Sequence, residues 1–463
     1  MSPCPIPPKP ASRPEKTSRL RQILLFRRDI FTSQPERLYR AKMAEFKTLF
    51  FHSYLINQPD LIHTVLKERP EDFPKSGVIS SSLKDLLGNA VFVTNGATWK
   101  RQRRMIDPAF EGGRLRETFD AMVAAGETAI ARINISNTPE PIEIEEETSH
   151  LAADVIFRTL FSLPITHRDA NAVFQEFRAY QRSQPLLNLA SFLPVPGWMP
   201  RIFNREAGRS ARRIRALLSA LTEARAIEIS RGSAPDDLAT KIMTTRDPAS
   251  GTCFEAAEMV DQVAIFFLAG HETSASALAW ALYLLASDPD TQLRAAREAQ
   301  RVLGTGRPRF SDVRRLGFIR DVWRETLRLY PPVPMMLRET TRPERFRNRA
   351  IRRGAQIVIS PWHLHRHPDL WHRPDHFDPG RWQRDEAREN ASTAWIPFST
   401  GPRVCTGAGF AMVEGVLLLA MLLRAFEFRA VPGQVPVPVA HLTVRARDGI
   451  HLKIRPRGAD TGT

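Results

Sequence analysis

Phe398-Ser399-Thr400-Gly401-Pro402-Arg403-Val404-Cys405-Thr406-Gly407 is the stretch on which the fold turns. Its two outer glycines, Gly401 and Gly407, permit sharp turns and close backbone approach. Cys405 stands just ahead of an apolar run, Gly407 to Phe426, whose pattern predicts a helix. A helix N-terminus carries partial positive charge and spare N–H donors, which lower the pKa of a cysteine placed there. A thiolate held this way is a good ligand for an iron centre. Arg403, two residues away, adds positive charge and suits an anionic group. On its own, a free cysteine is more often a buried, inert side chain.

Working back along the chain, Phe254 to Ser287 predicts a helix of about 50 Å at 1.5 Å per residue. Val263 to Ala286 is apolar almost throughout, long enough to span a membrane by length alone. Gly270, His271, Glu272, Thr273, Ser274 and Ser276 in its middle make lipid burial costly, so it reads as a core helix. Ala269-Gly270-His271-Glu272-Thr273 then needs a reason. Small residues admit something bulky to the backbone. The Thr273 hydroxyl can take the carbonyl four residues back or face a ligand. A carboxylate beside a hydroxyl is also a proton-delivery pair.

The remaining periodicity is mostly helical: Asp60 to Arg69, Ala97 to Ile106, Arg114 to Ile133, Glu146 to Phe161, Asp169 to Arg182, Asn204 to Arg231, Asp290 to Leu303 and Arg315 to Tyr330. Ser76 to Asn95 reads as a loop enclosing a short helix. Thr48 to Ile56 reads as strand or hairpin, Gln356 to Ser360 reads as a strand, and a Pro/Val-rich β-like tail ends the chain. Hydrophobic residues make up 43% and charged residues 25% of 463, which excludes a disordered, collagenous or coiled-coil protein. Three cysteines, Cys4, Cys253 and Cys405, cannot build a disulfide framework and point to a reducing, cytoplasmic setting. The Pro-rich residues 1–34 hold no secretory or anchoring apolar run and read as a mobile basic lead-in.

Phe-x-x-Gly-x-Arg-x-Cys-x-Gly resembles the heme-ligating loop of the cytochrome P450 family at all five fixed positions. Ala-Gly-x-Glu-Thr is similar to that family's oxygen-activating helix. Glu325-x-x-Arg328, Asp378-Pro379-Gly380-Arg381-Trp382 and Trp99-x-x-x-Arg103 resemble three further family elements, in the family's order. Gly380, Trp382 and Gly409 depart from the commonest residues at their positions, none of them an expected iron or oxygen ligand. The resemblance implies a mainly α fold with a smaller β region, the cytochrome P450 fold, as one domain over residues 35–457. It implies heme b as cofactor, dioxygen as co-substrate and Cys405 as the axial ligand of the heme iron. Ala269, Gly270, Phe398 and Gly407 would line the heme. Trp99, Arg103, Arg403 and, by a weaker match, Arg338 would bind its propionates. Thr273 would hold the oxygen and water network, with Glu272 relaying protons. Glu325, Arg328 and Arg381 would form a buried triad that shapes the cysteine loop.

The function implied is a heme-thiolate monooxygenase that inserts one oxygen atom into a lipophilic substrate. A peroxygenase or isomerase of the same cofactor, and a non-enzymatic heme sensor, are the alternatives. Glu272 beside Thr273 argues for the monooxygenase, since proton delivery serves dioxygen. No reductase module is recognisable, so electrons are expected from a separate ferredoxin or flavodoxin with its reductase. The net charge of +16 suits an acidic donor. No nucleic-acid-binding motif accompanies that charge, and a monomer is expected. His363, His365 and His367 alternate, yet no Cys or carboxylate set completes a metal site. The greasy segment Pro185 to Pro200 reads as a lid packed on its own protein. A shallow contact with anionic membrane, aided by Arg201, Arg205, Arg209, Arg212, Arg213 and Arg215, is the other reading.

Overall fold

The structure is a computed structural model that describes residues 5–47, 52–111, 113–135, 140–183, 205–440 and 442–458. Among these, the α-helices are α1 (Arg19–Arg28), α2 (Pro59–His63), α3 (Gly77–Leu87), α4 (Gly96–Ile106), α5 (Arg114–Glu117), α6 (Phe119–Ile135), α7 (Ile144–Phe161), α8 (Arg168–Ser183), α9 (Arg205–Ser230), α10 (Leu238–Thr244), α11 (Ala256–Ala286), α12 (Pro289–Leu303), α13 (Gly317–Leu329), α14 (Pro361–Leu364), α15 (Asp385–Ala394) and α16 (Ala408–Ala425). The strands are β1 (Met43–Lys47), β2 (His52–Ile56), β3 (Ile142–Glu143), β4 (Met336–Glu339), β5 (Glu344–Phe346), β6 (Arg349–Ile351), β7 (Gln356–Ile359), β8 (Phe426–Ala430), β9 (Pro438–Ala440), β10 (Val444–Ala446) and β11 (His451–Pro456). The long helices begin where the chain supplies caps. Glu255 and Glu258 form a reciprocal box at the start of α11. Pro289 opens α12 while the Asp288 carboxylate accepts the Thr291 N–H.

Helix α11 organises the molecule. Its N-terminal half, Met259 to Leu268, is buried in one apolar cluster with α7, α8 and α9. Its C-terminal half, Ala277 to Ala286, is buried in a second cluster with α6, α13 and α16. The segment 269–276 falls where the two clusters meet. A third cluster lies against the mixed sheet of order β1-β2-β7-β4, in which β2 runs parallel to β7. Helix α16 has the length and apolarity to cross a membrane, but most of it is buried inside the protein.

Several expectations are adjusted. The lead-in was expected to be mobile, yet its described part is fastened to the body. The Phe377 N–H donates to the Pro5 carbonyl at 3.0 Å, Tyr330 donates to the Pro8 carbonyl at 2.7 Å, and Lys9 pairs with Asp375 at 3.0 Å. Prolines lose little entropy on docking and leave their carbonyls free to accept. Of the strand or hairpin expected over Thr48 to Ile56, the hairpin is found, but it begins earlier: β1 and β2 pair antiparallel and residues 48–51 lie outside those described. The loop after Ser76 is largely the eleven-residue helix α3, whose first turn Ser76 caps. Pro185 to Pro200 lies outside the described residues, as do Arg201 and Cys4.

Candidate active site

The site is built from the loop ahead of α16, the middle of α11, the turn into α4, and β4. In the loop, Gly401 has φ +75° and a Cβ there would lie 2.0 Å from the Leu66 carbonyl oxygen, so only glycine fits. The Cys405 N–H donates to the Phe398 carbonyl at 2.9 Å, closing the loop on itself. Phe398 is half-buried and packs edge-on against Trp395. The nearest atom to a Cβ on Gly407 would be the Cys405 Sγ, at 3.9 Å. The Cys405 thiol reaches solvent, yet the protein around it pushes its pKa up. The Gly407 N–H and the charge of Arg103 pull the other way and do not win. The helix terminus alone therefore does not bring the free thiol below its ordinary range. A coordinated metal would remove the proton outright.

From Met259 to Ala286, α11 is buried at every residue except Ala269, Gly270 and Thr273. Spacings of one and four residues put these three side by side, one accessible window in a buried rod. The Thr273 hydroxyl donates to the Ala269 carbonyl at 2.6 Å, so it takes the first of its two expected options. Gly270 is small for a different reason than expected. A Cβ there would meet the Ile156 Cδ1 at 2.4 Å, so α7 rather than a cofactor occupies that space. Glu272 is buried and not bonded to Thr273. Its Oε1 accepts from Thr443 at 2.8 Å and from Arg445 at 3.1 Å. It borders a polar cavity of about 130 Å³ with Glu145, Ser149, Arg178 and Arg445. Burial raises Glu145 to about 7.

Beside the cysteine loop lies a cluster of cations. Arg403 stacks on the Trp99 ring, 4.1 Å from its centroid, and donates to Asn95 Oδ1 at 2.9 Å and to the Thr94 carbonyl at 3.2 Å. Arg338 on β4 is buried and, among the described residues, its side chain donates to its neighbour's carbonyl, Leu337, at 3.1 Å. Arg103 pairs with Asp107 at 2.7 Å. A fourth cation, Lys75, escaped the sequence reading because no motif surrounds it. Its Nζ donates to the Val91 and Phe92 carbonyls at 3.0 and 2.6 Å. Asn95, equally invisible in sequence, accepts from both the Lys75 N–H and Arg403. Among the described residues, no carboxylate is bonded to Lys75, Arg338 or Arg403. Burial, aggravated by mutual repulsion, lowers Lys75 well below its ordinary range and lowers Arg338 and Arg403 to about 10. A soft thiol beside buried and half-buried cations that no described carboxylate bonds fits a group that carries a metal and carboxylates, as heme does.

The triad residues are brought together. Arg328 grips the Glu325 carboxylate with two bonds of 2.9 Å, and Arg381 adds a third of 2.9 Å. All three side chains are buried. The excess positive charge is spread over backbone carbonyls, among them those of His365, Pro374, His376 and His372. The alternating histidines form no metal cluster among the described residues. Their buried rings bond to neighbouring backbone and hydroxyl groups instead.

Known proteins resemble the chain over most of its length. The family model described as Cytochrome P450 matches residues 26–454. The chain belongs to the cytochrome P450 family. A Streptomyces melanosporofaciens relative named cyclooctat-9-en-7-ol 5-monooxygenase is 32% identical over 82% of this P450 and 81% of its own length. A Sus scrofa relative named taurochenodeoxycholic 6 alpha-hydroxylase is 28% identical over 87% of this chain and 81% of its own. The crystal structure of a cytochrome P450DA heme-domain mutant superposes with a TM-score of 0.81 at 23% identity, covering 97% of each chain. This P450 is thus a heme-thiolate monooxygenase with heme b as cofactor and dioxygen as co-substrate. Like the family, it binds a lipophilic substrate and needs a redox partner.

Proposed function

We propose that Cys405 is the axial ligand of the heme and that Lys75, Trp99, Arg103, Arg338 and Arg403 hold its propionates. The bound heme supplies dioxygen activation. The observation that carries this reading is the set of cations, Arg338 buried and Lys75 and Arg403 half-buried, that no described carboxylate bonds, beside an accessible cysteine. Two carboxylates arriving there relieve the repulsion among the cations, and the Trp99 face keeps the Arg403 fork aimed. Phe398, Gly407 and Ala269 leave room for the ring. Gly270 contributes by letting α7 pack close.

Thr273 acts at the accessible window of α11. Its hydroxyl, held by the Ala269 carbonyl, is a preplaced group for water and oxygen. Glu272 moves protons from the polar cavity toward that window by exchanging its bond to Arg445 for one to water. The Glu325, Arg328 and Arg381 cluster fixes the cysteine loop. A buried ion cluster contributes more to a defined geometry than to stability.

The substrate is a lipophilic molecule of the fatty acid, terpenoid or aromatic class. The apolar turn Val333 to Leu337 supports this, and the alkenol in the Streptomyces relative's name is itself mostly hydrocarbon. Electrons come from an acidic ferredoxin or flavodoxin, for which the net charge of +16 is the support. The enzyme works as a cytoplasmic monomer. The test is the carbon-monoxide difference spectrum of the reduced protein beside Cys405→Ala. A red-shifted Soret band lost in the variant is expected. A band that survives the substitution removes Cys405 from the role.

A further inference from the structure

We propose that His365 is a positioning residue that locks the cysteine loop to the triad helix α13. The proposal deepens the reading of Cys405 as axial ligand and rests on it. His365 is wholly buried and its ring touches both elements. Its Nε2 accepts the Ile396 N–H at 2.9 Å. A backbone N–H only donates, so this nitrogen carries no proton and Nδ1 carries it. That Nδ1–H is directed at the Arg328 carbonyl, 3.1 Å away. Arg328 returns a bond, its Nη1 donating to the His365 carbonyl at 2.7 Å.

The connection continues from Ile396 to the ligand. The Ser399 N–H donates to the Ile396 carbonyl at 3.1 Å, and Phe398 next to it accepts the Cys405 N–H at 2.9 Å. Trp395 adds a second fastening, its Nε1 donating to the Arg324 carbonyl at 3.3 Å. One unbroken path therefore runs from Glu325 through Arg328, His365 and Ile396 to Cys405. Its neighbours take no part: His363 bonds with Ser360, and His367 with the Asp369 N–H. Burial, with the Arg328 charge behind it, holds the His365 ring neutral by lowering its pKa to about 3. The clamp is therefore constant through the physiological range.

Two substitutions separate the ring's two bonds. His365→Gln keeps an acceptor near the Nε2 position and loses the Nδ1 donor. His365→Asn keeps the donor and loses the acceptor. In the wild type, hydrogen exchange at the Ile396 amide is expected to be slow, and in His365→Asn to quicken about tenfold, the worth of one net hydrogen bond. His365→Asn is also expected to shift the heme reduction potential and to convert the thiolate carbon-monoxide band to a shorter-wavelength one faster than His365→Gln. Equal behaviour of the two folded variants overturns the proposal, as does rapid Ile396 exchange in the wild type, which remains measurable if neither variant folds. A wild type lacking the thiolate band overturns the Cys405 reading instead.

Discussion

Thr273 shows how far a residue type can be read without coordinates. A hydroxyl in the middle of a greasy helix announces that something faces it, but not which atom. The structure supplies the atom: the Ala269 carbonyl at 2.6 Å, in the accessible window of α11. In Thr273→Ala that carbonyl keeps its backbone donor and loses the hydroxyl, while the cysteine loop is untouched. The thiolate band is expected to persist. Product per electron should fall by up to roughly 10²-fold, the lower range for a lost proton-delivery group, with peroxide rising to match. Unchanged coupling would sink the role. Cys405 and Arg403 were legible because their spacing is fixed by a tight loop. Lys75 and Asn95 were not, because they reach the site through a turn in space and leave no periodic trace. Gly270 was legible as a close approach, but sequence could not say whether a cofactor or Ile156 approaches.

Between elements, a buried hydrogen bond ties α11 to α16, the helix that follows the cysteine loop. Ser274 on α11 donates to the Glu414 carboxyl on α16 at 2.6 Å, both buried. Burial raises Glu414 to about 8 from an ordinary value near 4.5. The folded state thus keeps a proton that the unfolded chain releases. Stability from this group is full below about pH 4.5 and is lost as pH rises to about 8, by up to about 1.4 kcal/mol per pH unit. Glu414→Gln keeps the acceptor for Ser274 without the ionisation. Its thermal midpoint is expected to exceed the wild type's at pH 8 and to fall less between pH 5 and 8. Parallel pH profiles for the two proteins would show that Glu414 is not the group. Most helices were readable from their 3.6-residue pattern because one stripe of each faces a core. The short α10 and the polar α15 were missed, since seven residues give too few turns and Asp385 to Ala394 buries only Ala387 and Ala394.

At the scale of the whole molecule, the net charge of +16 is the feature that sequence states most plainly and structure explains least, because it concerns a partner. If an acidic donor docks on this surface, its apparent KM should rise several-fold between 50 and 200 mM salt, as the screening length shrinks from roughly 14 to 7 Å. A salt-independent KM would point to an apolar docking surface. The fold class was legible because five motifs, spread from Trp99 to Cys405, occur in a single order. The division of the core into clusters that meet at residues 269–276 was not, since no local pattern records which helices share an interior.

The fastening of the first residues bears on how the chain is made. Pro8 leaves the ribosome 322 residues before Tyr330, the hydroxyl that binds its carbonyl. At 5–20 residues per second that wait lasts on the order of tens of seconds. Helices α3 to α12 are complete before it ends. Pro5, Pro8 and Lys9 are thus synthesised long before the residues that hold them, and cannot take their final place until Tyr330 to Phe377 has followed.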